Sequence, residues 1–276
     1  MAKAALLLPA LAFYAVFTLW PLVEVVRLSL YKTNFITSTY VGIGNYAASI
    51  ADAAFLHSIA NSAAYILIMV PLQLIVSIPI SFGLYRLSKK WQDIGRIILY
   101  IPTLSAGIII AQLWRWVFSS GGVANWILST IGVDAVSWFG QGATAIPVIS
   151  CIVVFSSFGS NVIVVIASLL SVDRSIIEAA TMDGASWWRI KYSILLPMIG
   201  KTVWLISLLT AIAAMQIFET IYALAPYEYS ATMAFHIYRQ GFQWSKYGLA
   251  SAQATILLAI TVSLTLLKNR MVDHEA

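Results

Sequence analysis

The sequence predicts an all-α polytopic membrane protein with six transmembrane helices, and three observations lead there. Hydrophobic residues make up 61% of the 276 positions and charged residues only 10%, a mix far from that of a soluble domain. Apolar runs cover about 4–30, 58–85, 97–118, 143–171, 199–225 and 247–267, and roughly 20 residues suffice for a helix to cross a bilayer. The runs are apolar on every side, as over 162–170, whereas strands of a membrane barrel alternate in segments of about ten.

The first run has the outline of a secretory signal: Lys3, an apolar core, and small residues at Ala10 and Ala12. It outlasts the ~7–15 residues of a signal core, continuing past Pro9 through Tyr14, Phe17 and Trp20 towards Leu30, so it is expected to stay as the first helix. Between the third and fourth runs no basic residue occurs from 116 to 142. Gly121-Gly122, Trp126 and Trp138 there suit the outer interface, where an indole buries its ring and still satisfies its N–H. The loop after the fifth run carries Glu228, Arg239 and the aromatics Tyr227, Tyr229, Phe242 and Trp244; it is expected outside, where it can receive a soluble delivery protein.

Basic residues fix the orientation, because they concentrate in short cytoplasmic loops. With the N-terminus inside, the inner set is Lys3, Arg86, Lys89, Lys90, Arg96, Arg174, Arg189, Lys191, Lys201, Lys268 and Arg270, against Arg27, Lys32, Arg115, Arg239 and Lys246 outside. Both termini are therefore expected in the cytoplasm. The +5 net charge reports that asymmetry, and no basic, aromatic-interleaved patch supports nucleic-acid binding. Cys151 is the lone cysteine, and His57, His236 and His274 show no ligand spacing, which leaves no disulfide framework or metal motif. Gly200-Lys201-Thr202 resembles the end of a phosphate loop, but position 195, where the pattern needs glycine, is Leu.

The polar segment from Ser171 to Lys201 reads as two short amphipathic helices broken at Asp183-Gly184. Ser175-Ile-Ile-Glu178 fits a capping box. Ala179 and Ala180 allow another protein to approach closely, and Pro197 suits the first turn of the helix that follows. An ordinary intracellular loop, with Glu178 as a cap only, is the competing reading. Within the runs, Gln73, Gln112, Ser156, Asn161, Gln216, Glu219 and Gln253 are polar. Such residues face a bundle interior or water, either as helix-to-helix hydrogen bonds or as a solute path. Gln216 and Glu219, three apart, are expected on one helical face, with Gln253 able to join them and Trp114, Trp116 and Phe218 able to stack on sugar rings.

Glu178-Ala-Ala, Asp183-Gly184-Ala185, Ile194 and Leu196-Pro197 resemble the EAA loop of permease subunits in binding-protein-dependent ABC importers. Leu8-Pro9, Trp20-Pro21, Val41-Gly42-Ile-Gly-Asn45-Tyr46, Tyr100-Ile-Pro102, Trp114-Arg-Trp116, Phe218-Glu-Thr-Ile-Tyr222, Ile237-Tyr238-Arg-Gln-Gly-Phe242 and Tyr247-Gly248 extend the likeness to the carbohydrate-uptake (MalF/UgpA-like) branch. Two features depart from the family's pattern: Lys191 stands where an apolar or aromatic residue is usual, and Leu224-Ala225-Pro226 replaces a longer Gly-rich turn.

The resemblance implies a type I importer of the MetI-like permease fold. It implies a first helix and outer loop over 1–57, a transmembrane core over 58–268 with a coupling loop at 172–200, and a cytoplasmic tail over 269–276. The chain itself would be no enzyme and hold no cofactor; ATP and Mg would be bound by two partner ATPase subunits. Glu178, Ala179, Ala180, Asp183, Gly184, Ala185, Leu196 and Pro197 would couple to them. A second, related permease subunit, an extracytoplasmic substrate-binding protein and membrane lipid complete the expected partners, in a bacterial or archaeal plasma membrane. A sugar or related polar solute would pass Gln112, Trp114, Asn161, Gln216, Phe218, Glu219 and Gln253. The alternative is an ion- or proton-coupled secondary transporter, with Glu219 as its titrating carboxylate.

Overall fold

The computed structural model describes residues 7–34, 36–224 and 229–273, with side chains through 266; Lys3, Ala225, Pro226, Tyr227, Glu228 and His274 lie outside them, as do the side chains of Lys268 and Arg270. Among the described residues, four unbroken helices are long and apolar enough to cross a membrane: α1 (Leu8–Ser29), α3 (Ala53–Tyr85), α7 (Gly142–Leu170) and α13 (Tyr247–Leu266). Six crossings result only if each of two bent pairs counts as one. The first pair is α4 (Lys89–Leu104) with α5 (Gly107–Val117), at 89°; the second is α9 (Trp187–Met198) with α10 (Gly200–Met215), at 67°.

The two expected helices over 97–118 and 199–225 are thus present but interrupted. Helix α4 begins at Lys89, in the polar stretch that follows α3, and contains Pro102, after which Ser105 and Ala106 turn extended, with ψ of 141° and 133°. Proline removes a backbone donor and crowds the preceding turn, and here the chain leaves the helix three residues later. In the fifth run a bend falls at Ile199 and a second break at Gln216, which separates α10 from α11 (Glu219–Leu224).

Residues 7–60 and 232–264 form one compact unit, and residues 61–224 with 229–231 form the body of another. In the first, α1 is not buried anywhere along its apolar window. It leads into an antiparallel hairpin of β1 (Tyr31–Thr33) and β2 (Ser38–Tyr40) with Lys32 opposite Thr39, a small departure from an all-helical chain, followed by α2 (Gly44–Ala51). Asn45 clamps these pieces together: its Nδ2 donates to the carbonyls of Ser29 (2.7 Å) and Tyr31 (2.9 Å). Gly248 opens α13 against the same hairpin, where a Cβ would overlap the carbonyl oxygen of Tyr31. The motif residues Asn45 and Gly248 thus work as a structural clasp, to which Tyr46 adds its hydroxyl, 2.7 Å from Ser29 Oγ. Helix α12 (Met233–Tyr238) completes the unit; its His236 pairs with Asp52 at 3.5 Å.

The second unit, in which the short α6 (Val123–Thr130) follows α5, is built around α7, whose buried side includes Ile149, Ile152, Val162, Val165, Ile166 and Leu169. Helix α4 lies so close to α7 that a Cβ on Gly159 would overlap the carbonyl oxygen of Leu99. In lipid, helix association rests on such close packing more than on expulsion from water. Hydrogen bonds stitch α3 to α7: Ser157 Oγ donates to Gln73 Oε1 (3.2 Å) and Ser81 Oγ to the Val162 carbonyl (3.3 Å). At the polar-loop end, Phe82, Val165, Leu169, Ile190, Leu195, Ile199 and Ile206 form one buried apolar cluster.

Candidate functional site

That cluster seats the polar loop. Helix α8 (Arg174–Met182) starts from Asp173, whose Oδ1 accepts from the Ser175 N–H at 2.9 Å. The expected capping box of Ser175 and Glu178 is therefore corrected: the cap sits two residues earlier, because an ionised carboxylate at that position is the better acceptor for the free N–H groups of the first turn. The Ser175 backbone N–H holds the Asp173 carboxyl below its usual range. Released from capping, Glu178 is exposed and has no hydrogen-bond or ion-pair partner among the described residues.

The break after α8 is closed by the backbone itself. Gly184 N–H donates to the Thr181 carbonyl and Ala185 N–H to the Ala180 carbonyl, each at 3.0 Å, with Gly184 at φ +75°. This is the glycine-terminated helix end whose two reverse bonds satisfy orphan carbonyls. Its accompanying apolar contact comes from Ala180 and Ala185, both half-buried against the cluster. A Cβ at Gly184 would meet open space, so glycine is needed there for its backbone and not for room.

Ser186 then caps α9, accepting from the Arg189 N–H at 3.4 Å. Within α9, residues Ile190–Leu195 form a wider π-helical stretch, and Leu196-Pro197 follow in its last turn. Leu196 is half-buried in the cluster and Pro197 is exposed. Glu178, Ala179, Met182, Asp183, Trp188 and Tyr192 form an exposed edge over this seat. Met182 is 88% exposed.

Lys191 is the residue whose role the sequence left open. It is buried, with Nζ 5.0 Å from the Phe82 ring, 5.1 Å from Trp188 and 4.8 Å from Tyr192. Trp188 and Tyr192 stack at 5.9 Å. The cation is accommodated by ring faces, which explains how a lysine fits at an apolar position.

The expected path residues separate. Gln216, Phe218 and Glu219 line a cavity of about 330 Å³ with Val153, Ala213, Ile217 and Thr220. They do not share one continuous helical face, because the helix is broken between Gln216 and Glu219; the break, and not a 3.6-residue period, brings them to one cavity. Glu219 lies over α5, where a Cβ on Gly107 would stand 2.7 Å from its Oε2. Gln112 ties α5 to α11, its Nε2 donating to the Ala223 carbonyl at 3.4 Å. Trp114 packs on Phe118 and Phe155 with centroids at 5.6 and 5.5 Å, in an aromatic cluster outside that cavity. Asn161 is half-buried on α7 and does not line it either. Gln253 belongs to the first unit, fully buried, with neither side-chain amide atom partnered among the described residues. No group of His, Cys, Asp or Glu that could hold a metal occurs among the described residues.

No family model matches the chain. It is similar to a probable ABC transporter permease protein, YurN, of Bacillus subtilis, at 27% identity over 95% of this chain and 92% of the relative. The trehalose/maltose transport system permease protein MalF of Thermococcus litoralis is 28% identical over 95% of this chain and 90% of its own length. In fold, it superposes on a chain of a bacterial alginate ABC transporter, solved in complex with an alginate pentasaccharide-bound periplasmic protein, with a TM-score of 0.83 at 24% identity, covering 98% of this chain and 93% of that one. End-to-end likeness to permeases, the matching helical architecture and the glycine-closed helical loop converge: the chain has the fold of ABC transporter permease subunits and is similar to them along nearly its whole length.

Proposed function

We propose that this chain is a permease subunit of a binding-protein-dependent ABC importer of the carbohydrate-uptake branch, that it supplies half of a pathway for a sugar or related polar solute, and that the edge formed by Glu178, Ala179 and Asp183, held from behind by Ala180 and turned at Gly184, transmits force from a separate ATPase. The observation that carries the reading is an exposed, unpartnered Glu178 on a helical hairpin firmly seated from behind. Two ATPase subunits would bind ATP and Mg, a related second permease subunit would complete the path, and a soluble binding protein would deliver the solute from outside. Gln216 and Glu219 support the incomplete path: both are exposed on the isolated subunit, and a carboxylate within an apolar run is costly against lipid, so it faces water or a partner. The basic-residue asymmetry supports cytoplasmic termini in a bacterial or archaeal plasma membrane.

Ala180 and Ala185 serve as the seat, while Ala179 faces outward. Cross-linking is therefore best made from Ala179→Cys in a Cys151→Ser background, since Cys151 is exposed. An adduct with the ATPase subunit is expected. In reconstituted vesicles, Glu178→Ala should abolish solute-stimulated ATP hydrolysis and uptake together. Undiminished uptake in that variant, or uptake that an ionophore stops and ATPase removal does not, would overturn the proposal in favour of gradient coupling.

A further inference from the structure

The residues leaving α3, the first two turns of α4 and the start of α8 enclose a cleft of about 810 Å³. Four cations line it, Arg86, Lys89, Arg96 and Arg174, against two carboxylates, Asp93 and Glu178. Arg96 is the least satisfied. Its Nη1 is 3.5 Å from Asp93 Oδ1 and its Nη2 3.4 Å from Gln92 Oε1, both at the weak limit of hydrogen bonding, and its Nε is buried without a partner among the described residues. Asp93 itself is about half exposed, at 52%, so solvent screens its pairing. The wall is fixed: Gln92 Nε2 donates to the carbonyls of Tyr85 (3.1 Å) and Leu87 (2.9 Å), and the Arg86 guanidinium is held over the Trp187 ring at 5.2 Å.

A cleft with surplus positive charge, in which the Arg96 Nη atoms hold their partners only at 3.5 and 3.4 Å, favours an anion. A tetrahedral phosphate fits, since an arginine fork matches its oxygens bidentately and a lysine adds a compact charge. The surroundings add a second requirement. Trp91 is 58% exposed beside the cleft, and Ile97, Ile98, Ile101 and Leu104 are exposed farther along α4, so the cations stand at the polar end of a helix with an exposed apolar face.

We propose that this cleft binds a phosphate group, held chiefly by Arg96 with Lys89 and Arg174, as carried by an anionic phospholipid headgroup or by a soluble phosphate. The inference is independent of how Glu178 couples to an ATPase. Native mass spectrometry of the full chain in its assembled transporter, after delipidation, tests it with three probes: phosphatidylglycerol, phosphatidylcholine and inorganic phosphate. Retention of phosphatidylglycerol over phosphatidylcholine, weakened about fivefold for each cation removed in Lys89→Gln and Arg96→Gln, identifies the headgroup. Binding of inorganic phosphate with the same sensitivity, without selective lipid retention, identifies a soluble source. Arg96→Lys keeps the charge but not the fork and is expected to bind more tightly than Arg96→Gln and less tightly than the parent, which separates loss of the site from loss of fold. Equal binding of phosphatidylglycerol and of phosphate by the parent chain and by folded Lys89→Gln and Arg96→Gln variants would overturn the proposal.

Discussion

The two bent crossings differ in what holds their angle. Between α4 and α5 the chain turns through 89° by letting two residues, Ser105 and Ala106, become extended, and backbone contact clamps it at Gly159. Between α9 and α10 it turns through 67° at the single residue Ile199 while hydrogen bonds persist on both sides: Ile199 N–H to the Leu195 carbonyl (3.0 Å) and Val203 N–H to the Ile199 carbonyl (3.1 Å). Only side chains hold the second angle, namely the apolar cluster and the rings around Lys191. The first bend is therefore fixed geometry beside the Glu219 cavity. The second joins the exposed edge at 178–192 to the helix that leads to that cavity.

The largest expected effect tests the clamp. Gly159→Leu forces α4 away from α7 against a backbone carbonyl that cannot rotate aside, an overpacking cost of about 3 kcal/mol or more. It should yield aggregated protein on size-exclusion chromatography. Gly83→Ala, where nothing stands within 4 Å of the added Cβ, should elute normally; equal behaviour of the two would erase the contrast.

Gly107→Val presses on the end of the flexible Glu219 side chain, so the fold should survive while the carboxylate is displaced. Uptake is expected to fall several-fold with an unchanged unfolding temperature. Next comes Gly184→Val, which places a β-branched residue at φ +75° at a cost of ~1–2 kcal/mol. Because the site is open, the damage should stay local and appear as ATP hydrolysis that no longer follows solute.

Asp173→Ala should fray α8, seen as faster amide hydrogen exchange over its first turn, while Ser175→Ala leaves it protected. The sign of the pH dependence follows from the depressed carboxyl: the cap contributes fully above the ordinary aspartate value and is lost as pH falls through the lower folded value. The smallest change is expected from Lys191→Met, because a cation–π attraction of about 0.5–2 kcal/mol is offset by the cost of burying the charge. A shift of many degrees in unfolding temperature would show that the rings hold the second bend more strongly than argued.

Legibility in the sequence followed the range of the interactions. The break at Asp183-Gly184 was readable because a left-handed glycine after a helix is a local signal, and the outward edge at Glu178 and Ala179 followed from it. Pro102 was equally visible, yet Pro71, Pro79 and Pro147 sit inside unbroken helices, so a proline alone could not say which run would turn. Gln216 and Glu219 stood out as polar residues in an apolar run, but a regular helix was the only frame available for placing them, and the break between them went unseen. Ser175 looked like the cap because its spacing to Glu178 fits a local rule that Asp173 satisfies better in space.

Composition and run length by themselves determined a helical membrane protein with up to six crossings, an uneven distribution of basic residues and a polar, glycine-broken loop, since each depends on neighbours in the chain or on the bilayer as solvent. Tertiary structure alone decided where crossings bend, which acid caps α8, how Lys191 is tolerated and which cations share a cleft. Those outcomes rest on contacts such as Leu99 with Gly159 and Lys191 with Phe82, whose partners lie 60 and 109 positions apart, beyond the reach of any periodic pattern.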